Sequence, residues 1–126
     1  MSEGLAVSQS NAALSSIRTD TPFVQLHTGA PGANGTANLA TETTRKAVVF
    51  DAPSGGSMAN SAPLQWVNIA GPGGVTPEDV THFTIWNAAS GGTFKFSGVV
   101  TATPFYAGNT YTIGVGDCVL TVNGAS

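Results

Sequence analysis

The sequence predicts an all-β fold, an antiparallel β-sandwich of about seven short strands with a short N-terminal helix. Three observations carry that prediction. After Pro22 the apolar residues recur with period two, as in Thr93-Phe94-Lys95-Phe96-Ser97, which is the alternation of a strand wet on one face. The 16 glycines and 7 prolines interrupt these runs every few residues, the punctuation of tight turns. Between two alternating runs, Ala88-Ala89-Ser90-Gly91-Gly92 reads as a hairpin connection.

Residues 5–17 are the expected helix. Val7, Leu14 and Ile17 fall on one stripe at helical spacing, with Ala12 and Ala13 between them, and the pattern stops before Thr19-Asp20-Thr21-Pro22. Ser8, Ser10, Asn11, Ser15 and Ser16 are weak helix formers. The stripe therefore has to be buried, either on its own domain or on a partner. The chain divides on this reading into an N-terminal helical arm, 1–20, and a β-sandwich domain, 21–126.

The expected strands are 23–28, 45–50, 64–69, 80–86, 93–101, 110–115 and 118–122. The first is closed by 29–35, whose Gly and Pro density sustains no regular element, and 36–44 is polar and irregular. Residues 52–57 are rich in turn formers, and Gly71-Pro72-Gly73-Gly74 breaks the chain. Thr76-Pro77-Glu78-Asp79 resembles a helix start, with Pro at the first position and acids in the first turn. Yet Val80 opens a period-two run at once, so the segment reads as a turn into a strand. On plain alternation Phe94 and Phe96 share one face of the next strand and Lys95 and Ser97 the other. Tyr111, Ile113 and Val115 point one way, as do Cys118, Leu120 and Val122, across the break at Gly116-Asp117.

A chain of 126 residues is one domain, long enough to bury roughly two thirds of its unfolded surface. Charged residues are only 9%, against ~25% in ordinary soluble domains. The polar surface comes from Thr, Ser, Asn and Gly instead, and it suits packing against identical neighbours. With a formal net charge of −3, and with Arg18, Arg45, Lys46 and Lys95 as the basic residues, no phosphate-binding surface is expected. The first 16 residues have neither a basic start nor a continuous apolar run, so no secretory signal is expected. No apolar run approaches the length of a membrane span. The expected setting is the cytoplasm in which the chain is made.

No active site emerges. Cys118 stands alone within an alternating run, which makes it a core residue, not a nucleophile. His27 ends a strand and His82 lies within one, and neither has a Cys, His or acid at useful local spacing. Asp79, three before His82, falls on the opposite strand face, so bonded core histidines are expected, not metal ligands. The chain has no Gly-x-Ser-x-Gly, no close acidic pair in an apolar setting and no Gly-rich loop followed by Lys-Ser or Lys-Thr. Neither catalytic residues nor cofactors are assigned. Trp66 and Trp86 could stack on a sugar, but their neighbours Leu64, Val67, Phe83 and Ile85 make them core. Phe105 and Tyr106 sit in a Pro-Phe-Tyr-Ala-Gly-Asn connection, as a contact surface or as a plug into the core.

Particular segments narrow the reading further. Phe23-Val24-Gln25-Leu26-His27-Thr28-Gly29-Ala30-Pro31-Gly32 resembles the opening of a family of small tailed-phage virion proteins, described as tail fibre or minor tail proteins of actinobacteriophage type. Arg45-Lys46-Ala47-Val48-Val49-Phe50 is similar to that family's second element, an aromatic and then x-Arg-x-x-Val-x-Phe, although Thr43 stands where the aromatic is typical. Residues 80–92, Val-Thr-His-Phe-Thr-Ile-Trp-Asn-Ala-Ala-Ser-Gly-Gly, resemble its hairpin most closely. Phe96-Ser97-Gly98 and Ala107-Gly108-Asn109-Thr110-Tyr111 resemble the strands that follow. The likeness runs from about Thr21 to the C-terminus and implies a β-sandwich built into the virion, with no catalytic residues.

The expected function is a non-enzymatic structural part of the virion, a minor tail, tail-tip or fibre-like protein. A capsid decoration protein and a host-surface carbohydrate-binding module are the alternatives. Its partners would be other virion proteins and further copies of itself in a symmetric oligomer, with a host-surface glycan as a further candidate. The helix would act as an anchoring arm, docking Val7, Leu14 and Ile17 into a partner's groove.

Overall fold

The computed structural model describes residues 6–69, 71 and 77–121, and within these the side chains of Val7 and of 101–103 are left aside. The expected helix start at Leu5, the break at Pro72-Gly73-Gly74, Thr76 and the last strand's end at Val122 lie outside the described residues. Helix α1 (Val7–Arg18) leads into strands β1 (Phe23–His27), β2 (Lys46–Ala47), β3 (Ser57–Ala59) and β4 (Leu64–Trp66). Strands β5 (Glu78–Trp86), β6 (Phe94–Phe105), β7 (Tyr111–Ile113) and β8 (Val119–Thr121) follow.

One layer is a four-stranded antiparallel sheet in the order β2-β1-β5-β6. Two antiparallel ribbons, β3 with β8 and β4 with β7, make the opposing layer. The inner face of the sheet presents Val24 and Leu26 from β1 and Val80, Phe83 and Ile85 from β5, all wholly buried. Met58, Leu64, Trp66, Tyr111, Ile113 and Leu120 from the ribbons complete the same core. The fold is all-β and antiparallel, as the alternation predicts.

The helix closes one side of that core. Thr19 ends it, its Oγ1 donating to the Ser15 carbonyl at 2.9 Å while Arg18 Nε reaches the Phe50 carbonyl at 2.9 Å. Thr21 then turns the chain with φ of 51°, a left-handed value unusual for a β-branched residue.

Several elements depart from the sequence reading. Residues 57–59, of which only Ser57 belongs to the turn-rich stretch 52–57 and none to an expected strand, form β3 by pairing Ser57 with Thr121 and Met58 with Leu120. The run 45–50 is ladder-paired only at Lys46 and Ala47, after which the chain crosses to the ribbon layer and Phe50 bridges Asn60. Asn68, with φ of 52°, turns the chain out of β4 before the expected end at Ile69. Glu78 and Asp79 pair with Phe105 and Pro104, so β5 starts two residues early and β6 runs four residues late. Pro104 is tolerated because β6 is an edge strand. A register shift between Ile85 and Trp86 changes the face of Phe94. Phe96 packs on the core while Phe94 lies beside Trp86 on the other face, so the two do not share a face.

Candidate functional site

The outer face of the sheet is where polar side chains are gathered. Residues alternate across it, so Gln25, His27, Thr84 and Trp86 point away from the core while Val24, Leu26, Phe83 and Ile85 point into it. Gln25, His27, Thr84 and Trp86 are nonetheless buried. The segment 28–40 folds back over them, held by Thr28 N to Asn38 O at 2.8 Å and Ala40 N to Leu26 O at 3.1 Å.

Under that segment runs a chain of hydrogen bonds. The Trp86 indole Nε1–H donates to Thr84 Oγ1 at 2.8 Å, and Thr84 Oγ1 lies 2.9 Å from His27 Nε2. His27 Nδ1 lies 2.8 Å from the Ala37 carbonyl. That carbonyl only accepts, so Nδ1 carries the proton, Nε2 accepts from the Thr84 hydroxyl, and every donor has its acceptor. Burial pushes the His27 pKa down and the imidazole is neutral, with the Ala37 carbonyl opposing and His82 adding to the shift. It is a buried histidine with both ring nitrogens bonded, on the outer face of the sheet.

Arg45 holds the other end of the face. Its guanidinium sits 4.2 Å above the Trp86 ring, and its Nε donates to Gln25 Oε1 at 3.2 Å. Its Nη1 donates to the carbonyls of Ala88 at 2.9 Å and Gly91 at 2.7 Å, which pins the β5–β6 turn to the sheet. Partial burial lowers the Arg45 pKa from its ordinary value. The same turn is closed by Thr93 N donating to Asn87 Oδ1 at 2.7 Å. Asn87 Nδ2 also reaches Asp20, whose carboxyl is held below its usual range by hydrogen bonding to Lys95, 3.1 Å away.

The expected contact residues do not form one surface. Leu14 is wholly buried and Ile17 is packed against the core, so these two are seated on the chain's own sandwich, while the Val7 side chain lies outside the described ones. Apolar side chains on a short helix go to the nearest apolar surface, and β3 supplies it. Phe105 is core, with its ring 5.7 Å from Tyr111, and Tyr106 is the exposed member of the pair. Tyr106 is about half exposed at 45%. Trp66 and Trp86 are buried, which removes both as exposed stacking platforms.

The chemistry available is correspondingly slight. Burial pushes the Cys118 thiol up to about 12, so it is no nucleophile at neutral pH. Among the described residues no three His, Cys, Asp or Glu side chains converge to hold a metal ion. No helix among them is long and apolar enough to cross a membrane.

Comparison with known families supplies what this geometry lacks. Residues 3–121 match the family described as podophage GP4 fiber I protein gp80. The chain belongs to that family. No curated protein matches it. Membership in the podophage fibre family agrees with the tailed-phage resemblance. It also puts the segments carrying that resemblance into one frame. Arg45 of the second segment bonds Gln25 of the first and both Ala88 and Gly91 of the hairpin, while Val48 and Phe50 enter the core. The x-Arg-x-x-Val-x-Phe pattern is thus one clamp and two core anchors. The sequence reading misses the clamp because its partners lie 20, 43 and 46 residues away. A lone Arg in an apolar strand of a chain with few charges is the one signal that points to it.

Proposed function

We propose that this member of the podophage fibre family is a non-enzymatic structural part of the virion, carried on the tail as a fibre or tail-tip component in several symmetry-related copies. The observation that carries the reading is the match of 3–121 to a fibre protein family. The fold supports it. Side-chain hydrogen bonds and rings are spent on tying the sandwich together, and the surface is weakly charged, with 9% charged residues in the chain. The long edge strand β6 pairs on one side with β5 and stands at the end of the sheet order, offering backbone groups to another copy.

A capsid decoration role has no observation in its favour beyond the sandwich itself. A glycan-binding role keeps Tyr106 and loses both tryptophans to burial, Trp66 in the core and Trp86 on the outer face of the sheet. Mass spectrometry of purified particles, followed by cryo-electron microscopy with this chain traced in density, tests the placement. Density on a tail fibre or the tail tip is expected. Density on the head lattice overturns the tail placement, and absence from the particle overturns the structural reading.

A further inference from the structure

We propose that residues 28–40 form a strap over the outer face of the sheet that acid releases, with His27 as the trigger.

The strap is a compact loop whose ends meet on β1. His27 bridges Leu39, and Ala40 N bonds Leu26 O at 3.1 Å. Inside it, Ala37 N donates to Pro31 O at 2.9 Å and Asn38 Nδ2 to Ala30 O at 2.9 Å, so it moves as one piece. It rests on the sheet at two places. One is the Ala37 carbonyl on His27 Nδ1. The other is Gly35 on the Phe94 ring, so close that a Cβ there would lie 2.6 Å from Phe94 Cδ1.

The hydrogen-bond chain through Thr84 is satisfied in one protonation state only, although the Ala37 carbonyl accepts from Nδ1–H in both. With neutral His27, protons run in one direction from Trp86 Nε1 through Thr84 Oγ1 and the imidazole to the Ala37 carbonyl. A second proton, on Nε2, aims two donors at the Thr84 oxygen and displaces the hydroxyl's own hydrogen. It also creates a cation in a wholly buried ring. Its two nitrogens are bonded to the Ala37 carbonyl and the Thr84 hydroxyl, neither of which carries a charge. The strap itself, Gly-Ala-Pro-Gly-Ala-Asn-Gly-Thr-Ala-Asn-Leu-Ala over 29–40, carries no titratable residue.

The other elements around the ring bring little relief. From β5, His82 faces His27 directly in the cross-strand register and is itself bonded to Thr81. At the start of β5, Glu78 is engaged with Thr41 N at 3.0 Å and Thr41 Oγ1 at 2.7 Å, and Asp79 lies opposite Pro104. On the β2 side, Arg45 is a further cation and Lys46 pairs opposite Val24. On β6, Lys95 is tied to Asp20. Release of the strap is the route by which the charged ring reaches water. It uncovers Trp86 and Phe94, an aromatic pair 5.5 Å apart with Arg45 over the Trp86 ring.

The direction with pH follows from the sign of the shift. His27 is lowered from its ordinary 6.5 in the closed state. The closed strap therefore has its full stability above 6.5 and loses it as pH falls through the lowered value. Within that window the opening ratio rises roughly tenfold per pH unit.

Amide exchange by NMR on the full chain, corrected for intrinsic rates, reads this out. Below 6.5, Thr28 and Ala40 amides and the Trp86 indole N–H are expected to lose protection together. The Cys118 amide, bonded to Asn60 Oδ1 at 3.0 Å in the opposing layer, keeps its protection. A His82→Gln chain, which removes the imidazole that adds to the lowering at His27, opens only at lower pH than the parent. A His27→Gln chain, if it folds, lacks the transition. Strap amides that stay protected until the whole chain unfolds overturn the proposal, as does a His82→Gln midpoint that does not move.

Discussion

Arg45 and Gly98 show how far single side chains decide this structure. Lysine at position 45 keeps the charge but loses the planar fork that reaches Gln25, Ala88 and Gly91 together while lying on Trp86. Arg45→Lys should cost about 1–2 kcal/mol, since two carbonyl bonds and the ring contact cannot be kept at once. Urea unfolding followed by circular dichroism checks it, and an unchanged midpoint would mean the clamp contributes nothing to stability. Gly98 is limited by space. A Cβ there would stand 2.5 Å from Phe83 Cζ and 2.6 Å from Cε1, and Phe83 is wholly buried in the core. Gly98→Ala should therefore destabilise by about 1–3 kcal/mol through overpacking. Val99→Ala, one residue along on an exposed side chain, serves as the comparison in the same titration. Equal midpoints for the two variants would contradict the contact.

At the scale of elements, helix α1 is part of the sandwich. Leu14 is wholly buried in the core cluster, Asn11 Oδ1 accepts from Gly56 N at 2.9 Å and Arg18 reaches Phe50 O. Leu14→Ala in the isolated chain should cost about 2–5 kcal/mol. A free arm would show no such loss, so thermal unfolding of the purified variant separates the two. Seven of the eight strands overlap runs that alternation predicts; β4, β7 and β8 are read as 64–69, 110–115 and 118–122 and pair over three residues each. β3, also three residues long, is not legible, because period two needs several residues to register. It owes its existence to pairing with a distant segment, as Ala59 with Val119. The late end of β6 was hidden by Pro104, which reads as a break unless the strand is known to lie at an edge. The face of Phe94 was hidden by a bulge, which no alternation count contains. Of the candidate site, the histidine's place at a strand end was legible, whereas its partners Ala37 and Thr84 were not, 10 and 57 residues away.

At the scale of the whole molecule, β6 is where the proposed assembly is most exposed to test. An edge strand of 12 residues is a template for pairing unless charge, proline or a covering segment blunts it. Here the charge within the strand is Lys95, whose ammonium is engaged with Asp20, and the proline lies near the far end. The middle, Ser97-Gly98-Val99-Val100, is left unblunted, and Val99 is 70% exposed. A second copy laid antiparallel on this strand across a two-fold axis would satisfy both edges at once, with low charge on either side to oppose it. Val99→Lys places an ammonium on that strand without touching the core. Its fold stability should stay within about 0.5 kcal/mol of the parent, while two lysines brought together across the axis repel and association falls. Sedimentation velocity over a concentration series reads both chains side by side. The parent should gain mass with concentration and Val99→Lys should remain monomeric. A parent that never associates, or a lysine variant that associates as well as the parent, would move the contact off β6 and leave Tyr106 and the remaining exposed valines to be tested in its place.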